Sequence, residues 1–154
     1  MGYKYMRSVL YMAVLLMAVL ASGCKKEPID RNIEGMWKLE QFTTHEDGVV
    51  HKECQRTFYS IQLWVVEIAE KQCPENHGYK AMIGRFSYND NHSEVTMKDF
   101  KYRSGTGDSG KEVSREDLLP YGINSSETTF RVLKADGKHL TLKSDYATLE
   151  LTSF

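Results

Sequence analysis

Three short segments towards the C-terminal end constrain this chain more than any other feature. Thr128–Lys134, Lys138–Lys143 and Tyr146–Ser153 carry apolar residues at every second position: Phe130 and Val132, Leu140 and Leu142, Leu149 and Leu151. A period of two puts those side chains on one face of an extended strand and their polar neighbours on the other. Ala135-Asp136-Gly137 and Ser144-Asp145 are turn-forming sequences between them, so the spacing predicts an antiparallel meander. Gly78–Tyr88 and Glu94–Arg103 predict a further hairpin, turned by Asn89-Asp90-Asn91-His92, with Gly84 marking a bulge.

The first half of the chain adds strands of the same kind. Ile33–Thr43 predicts an opening strand with Trp37, Leu39 and Gln41 on one face and Met36, Lys38, Glu40 and Phe42 on the other. Thr57–Glu70 is read as one continuous strand from its β-branched and aromatic content, with a helix beginning at Trp64 as the alternative. Ser104–Gly110 reads as a flexible loop by composition. Ser114-Arg115-Glu116-Asp117 has capping-box spacing ahead of Leu118-Leu119, and Pro120 stops it, which predicts a one-turn helix lying across an opening. About eight short strands joined by hairpins have one apolar face to bury, and closure also removes their edges. The predicted class is therefore all-β, an up-and-down antiparallel β-barrel with one short helix; a sandwich is the second choice.

Ser8–Cys24 decides location. Lys4 and Arg7 precede an apolar run, Val9–Ala21, that ends in the small residues Ala21-Ser22-Gly23. That is the layout of an export signal, and the run is shorter than the roughly 20 residues of a spanning helix. Cys24 after Leu-Ala-Ser-Gly resembles the lipobox of bacterial lipoproteins, in which this cysteine is acylated and becomes the new N-terminus. The resemblance implies residues 1–23 as signal peptide, 24–32 as a lipidated tether and 33–154 as the folded domain. It implies a lipid anchor in the cell envelope, in the outer membrane, on its periplasmic or surface face. Only Lys4 and Arg7 of the 20 basic residues lie before Cys24, against 21 acidic residues beyond it, so the mature part is mildly acidic. Nothing in it supplies the basic field that nucleic-acid binding requires.

Gly35-Met36-Trp37 on the first strand is similar to the Gly-x-Trp of lipocalins and their calycin relatives, and Ser144-Asp145-Tyr146 to the lipocalin Thr-Asp-Tyr turn. In lipocalins the tryptophan closes the barrel base against a late arginine; the last arginine here is Arg131. Taken with its lipobox and length, the chain resembles the small lipocalin-like lipoproteins of Bacteroidetes-type bacteria. The resemblance and the aromatic-rich strands imply non-catalytic binding of a small apolar or amphipathic molecule in the barrel mouth. Trp64, Phe86 and Tyr88 are the expected lining and Leu118-Leu119 the expected lid. The alternative is a protein-interaction module, a filled barrel that binds another envelope protein.

Signals of other chemistry are weak. Gly105–Lys111 fits G-x-x-x-x-G-K, but Glu112 stands where a Ser or Thr would hold magnesium, and a carboxylate there repels phosphate. His51-x-x-Cys54 and Cys73-x-x-x-His77 supply the ligand types of a zinc site. An oxidising compartment points instead to a Cys54–Cys73 disulfide, and unpaired thiols are the third reading. Thr57–Glu70 as one strand would hold its ends roughly 45 Å apart, which obstructs both zinc and disulfide unless the segment doubles back. His45, His92 and His139 are isolated among polar residues, and no serine or aspartate completes a catalytic set. Neither an enzyme nor a cofactor is expected.

Overall fold

The computed structural model describes residues 26–52, 56–71 and 80–154. Ten strands follow in order: β1 (Gly35–Thr44), β2 (Val50–His51), β3 (Thr57–Gln62), β4 (Val65–Glu70), β5 (Lys80–Tyr88), β6 (Glu94–Ser104), β7 (Gly107–Glu112), β8 (Glu127–Ala135), β9 (His139–Lys143) and β10 (Ala147–Ser153). Helix α1 (Arg115–Leu118) and a 3-10 turn (Leu119–Tyr121) separate β7 from β8. Eight strands pair in the order β10-β9-β8-β6-β5-β4-β3-β1, and β10 pairs β1 in turn, so the sheet is a closed antiparallel barrel. β2 and β7 are additions that pair only β1 and β6. The predicted barrel, its strand number and its single short helix are all present.

Chain direction gives the barrel two unlike ends. Leu63–Trp64, Asn89–Ser93 and Asp136–Lys138 turn the strands at one end, which the segment Asp30–Glu34 also reaches; this end is called the base. Thr44–Val50, the β6–β7 hairpin and α1 lie at the other end, called the cap.

Inward-facing side chains meet in one core. Trp37, Leu39, Tyr59, Ile68, Met82, Phe86, Met97, Phe130 and Leu140 are each at most 2% exposed and belong to a single packed cluster with Phe42, Phe100, Leu142, Leu149 and Leu151. The meander alternates as its sequence predicts, with Leu140, Leu142, Leu149 and Leu151 inside. In β1 the ladder to β10 shifts between Leu39 and Gln41, and beyond it Phe42, not Gln41, points inward. A bulge of one residue reverses the faces of everything after it, and a two-residue period cannot reveal it. Gly84 marks a bulge as expected: the β5–β6 register shifts between Ile83 and Arg85, and Asp99 opposite has φ 55°. Phe100 packs where a Gly84 side chain would be, its Cε1 only 2.7 Å from an ideal Cβ.

Two further expectations are corrected. Thr57–Glu70 is not one strand but the hairpin β3–β4, which turns at Leu63 (φ 53°) and Trp64. Apolar residues continue unbroken through the turn, so composition carried no sign of it. Ser104–Gly110 is not a free loop, because Gly107–Glu112 forms β7 against β6. That hairpin also excludes a phosphate-binding loop, which needs the N-terminus of a helix after the glycines.

Candidate functional site: the two ends of the barrel

At the base, Asp30–Glu34 forms a turn in which the Ile33 and Glu34 amides donate to the Asp30 carbonyl at 3.1 and 2.8 Å. The Trp37 indole N–H donates to the Ile33 carbonyl at 2.7 Å, fixing this turn beneath the first strand, and Ile33 itself is buried. Glu34 Oε1 accepts the Ile29 amide, and its Oε2 accepts the Leu63 amide at 2.8 Å, which ties the segment to the β3–β4 turn. Asp30 Oδ2 pairs with His92 Nδ1 at 3.0 Å and ties it to the β5–β6 turn. The base is closed by the chain's own N-terminal segment. Arg131 takes no part in this closure; it is exposed on β8 and lines a separate groove with His45 and Lys143.

The three residues expected to line a cavity lie at this closed end. Phe86 is core, at 2% exposure. Tyr88 is half-buried, its ring 5.0 Å from Phe86 and 4.7 Å from His92. Burial first, then the negative charges of Glu34 and Asp30, hold its phenol well above the usual tyrosine range. Its hydroxyl is buried and has no hydrogen-bond partner among the described residues. Trp64 is 59% exposed at the hairpin tip, edge-on to Tyr88 at 6.5 Å. These side chains form an aromatic row from core to solvent, not the wall of an open mouth.

At the cap, the serine half of the capping box forms as its spacing predicts: Ser114 Oγ accepts the Asp117 amide at 3.2 Å. Leu118, however, is fully buried, together with Tyr121 and Ile123. The Tyr59 hydroxyl donates to the Tyr121 carbonyl at 2.5 Å, and the Tyr121 hydroxyl donates to Glu70 Oε2 at 2.8 Å. Asp117 accepts from Lys80 Nζ at 2.7 Å and from the Tyr102 hydroxyl. Lys80 foremost, with Tyr102, holds the Asp117 carboxyl below its ordinary range. The helix expected to be a lid is thus part of a plug: α1 is bonded to β5 and β6, and the 3-10 turn after it to β3 and β4.

The outer wall carries the recesses. A groove of about 500 Å³ lies beside the Gly84 bulge, lined by Val65, Ile83, Arg85, Asp99, Lys101 and Glu112. Charges of both signs line it, unlike an apolar ligand pocket. Among the described residues no cluster of His, Cys, Asp or Glu is arranged to hold a metal, and no helix is long and apolar enough to cross a membrane. His51 of the zinc reading stacks on Phe42 at 4.4 Å. Cys24, Cys54, Cys73 and His77 lie outside the described residues.

A family model described as a lipocalin-like domain matches residues 17–154. The chain belongs to the lipocalin-like domain family. Among solved structures, the chain is similar to a lipocalin-like protein from Bacteroides uniformis, with TM-score 0.58 and 18% identity over 80% of this chain and 99% of that one. It is also similar to a protein from Bacteroides eggerthii, with TM-score 0.53 and 21% identity over 79% and 98% of the two chains. No curated protein matches the chain. At those identities the structural likeness speaks to fold alone. In this lipocalin-like domain the resemblance at Gly35-Met36-Trp37 has a physical counterpart, because Trp37 does close the base, through the Ile33 backbone carbonyl.

Proposed function

We propose that this lipocalin-like domain is a non-catalytic, lipid-anchored protein of the cell envelope, held through Cys24, that binds a protein partner at its cap end and outer wall. The observation that carries this reading is the filled barrel. Side chains from all eight strands occupy the lumen, the Trp37–Ile33 closure seals one end and Leu118, Tyr121 and Ile123 seal the other. A small apolar guest would have to displace a packed core, at several kcal/mol for each large side chain moved. The family's barrel fits a binding role, and the exposed β6–β7 hairpin and mixed-charge groove give that role a polar surface of the kind found at interface rims. The anchor reading rests on the lipobox sequence, and placement in the outer membrane follows from the same resemblance.

The test is native mass spectrometry of the full exported chain, before and after incubation with fatty acids, together with photocrosslinking from Thr106 and Glu46 in the envelope. The expected result is an unliganded barrel and a discrete crosslinked protein from the cap positions. A stoichiometric apolar guest lost on denaturation would overturn the filled-barrel reading and restore small-molecule binding.

A further inference from the structure

The exposed large apolar residues are unevenly distributed. Of the seven in the described residues, Met36, Trp64, Val65 and Phe154 lie at or beside the base, and Leu133 sits two residues before β8 ends there; only Val49 and Val50 lie at the cap. The Phe154 amide donates to the Met36 carbonyl at 3.0 Å, but its ring packs edge-on against Phe58 at 4.8 Å, on the outer wall over β3. Trp64 projects from a two-residue turn, and Glu34 fixes that turn by accepting the Leu63 amide, so the indole is displayed by a rigid support. Its N–H has no partner among the described residues.

The chain also arrives here. Lys26 and Pro28 line a recess with Glu34, Met36 and Ile61 on the base side of β1 and β3. Cys24 is two residues before Lys26 in the sequence, so a chain held through it enters the described fold at this recess. Three carboxylates of the base are engaged, Asp30 with His92, Glu34 with backbone amides and Asp136 with Lys134 and His139; Glu27 pairs with Arg31, and Asp90 is exposed in the β5–β6 turn. Lys26 and Arg31 are exposed beside them. Repulsion from a phosphate-bearing surface is therefore small.

We infer that the base is a membrane-contacting face: it rests on the lipid bilayer, with Trp64 inserted at the headgroup level and Met36 on the same end of the barrel. An indole has an apolar body and one donor, the combination that favours the interface between water and hydrocarbon. The inference rests on the acylation of Cys24 proposed above. A short tether alone would leave the domain free to tumble; the apolar base gives it one orientation and turns the cap towards partners.

The chain contains two tryptophans, and Trp37 is buried at 2% exposure, so acrylamide reads Trp64. The experiment uses the full exported chain, with acylation verified by intact mass and by its loss in Cys24→Ala, reconstituted in phosphatidylcholine vesicles. The expected result is a several-fold fall in acrylamide quenching on vesicle binding, and quenching by lipids spin-labelled near the headgroup; both signals vanish in Trp64→Phe. Protein that is acylated and floats with vesicles, but keeps Trp64 open to acrylamide and untouched by labelled lipid, overturns the inference and leaves the anchor intact. An unacylated chain overturns the anchor itself. Protection seen in native envelopes but not in pure lipid assigns the face to a protein partner and also overturns the inference.

Discussion

Leu118→Ala separates a plug from a lid. The Leu118 side chain is fully buried between strands, in the same core as Phe42, Leu149 and Ile123. Truncating a buried leucine costs about 2–5 kcal/mol, the larger values where the surroundings cannot collapse. Collapse is restricted here, because the plug is fastened on both sides of Leu118: Asp117 to Lys80 and Tyr102, and Tyr121 to Tyr59 and Glu70. A loss of about 3 kcal/mol is therefore expected. With a urea dependence of roughly 1.5 kcal/mol per molar, typical of a domain this size, the unfolding midpoint falls by about 2 M. The melting temperature falls by about 10 °C. The variant also acquires an apolar void at the cap, and an enclosed void of that kind takes up small apolar solutes such as benzene or xenon. The assay is urea denaturation followed by tryptophan fluorescence, repeated with benzene present, which partly restores the midpoint in the variant and leaves the native chain unchanged. A midpoint within about 0.3 M of the native value, with faster uptake of a fatty-acid probe, would refute the plug and establish the lid.

Three further outcomes follow from the same geometry. Gly84→Ala brings a methyl group against Phe100 and within 3.0 Å of the Lys98 carbonyl, so it lowers stability by about 1–3 kcal/mol, and Phe100→Leu in the same chain recovers part of that loss in urea titration. Asp117 has its native pKa held below its ordinary value of 3.8, so its contribution is present at neutral pH and disappears as pH falls through the depressed value. Asp117→Asn accordingly melts lower than the native chain at pH 7, and the gap narrows in strong acid; a constant gap would assign the loss to packing. Cys54 and Cys73 lie three residues beyond the paired Thr57 and Glu70 on either strand of the β3–β4 hairpin. The doubling back that a disulfide requires is present, and we expect the denatured, unreduced chain from an exporting host to weigh two hydrogens less than the reduced one.

Much of the barrel was legible because the meander and the β5–β6 hairpin obey a strict period of two between strong turn sequences. The Gly84 bulge and the Ser114 cap were also legible, since each uses a residue whose backbone or side-chain chemistry is local. The β3–β4 turn was not. Leu63 adopts a left-handed backbone that leucine disfavours, and it is stabilised by Glu34, a residue far away in sequence. The face of Phe42 depended on a bulge set by pairing with β10, again a long-range cause. For the site, sequence identified Trp64, Phe86 and Tyr88 as a group and they do form one row, but aromatic content could not say whether the row faces a cavity, the core or the outside. Burial decided it, and burial depends on which end of the barrel each strand reaches. Glu34, Tyr59 and Tyr121, which secure the two closures, were missed; their signal is only the pairing of a polar group with an otherwise apolar register.

The seam between β1 and β10 joins the first strand of the barrel to its last, with Gln41 opposite Glu150 and Trp37 opposite Ser153. A contact between positions so distant in the chain forms only after nearly all of the polypeptide is available, and its loop-closure entropy must be met before its hydrogen bonds form. Until then β1 has an unpaired edge running along Trp37, Leu39 and Phe42, a template for pairing with another copy of the same strand. Assembly of the barrel is thus a race between the arrival of residues 147–153 and association of exposed first strands, and the last strand is the step that ends it.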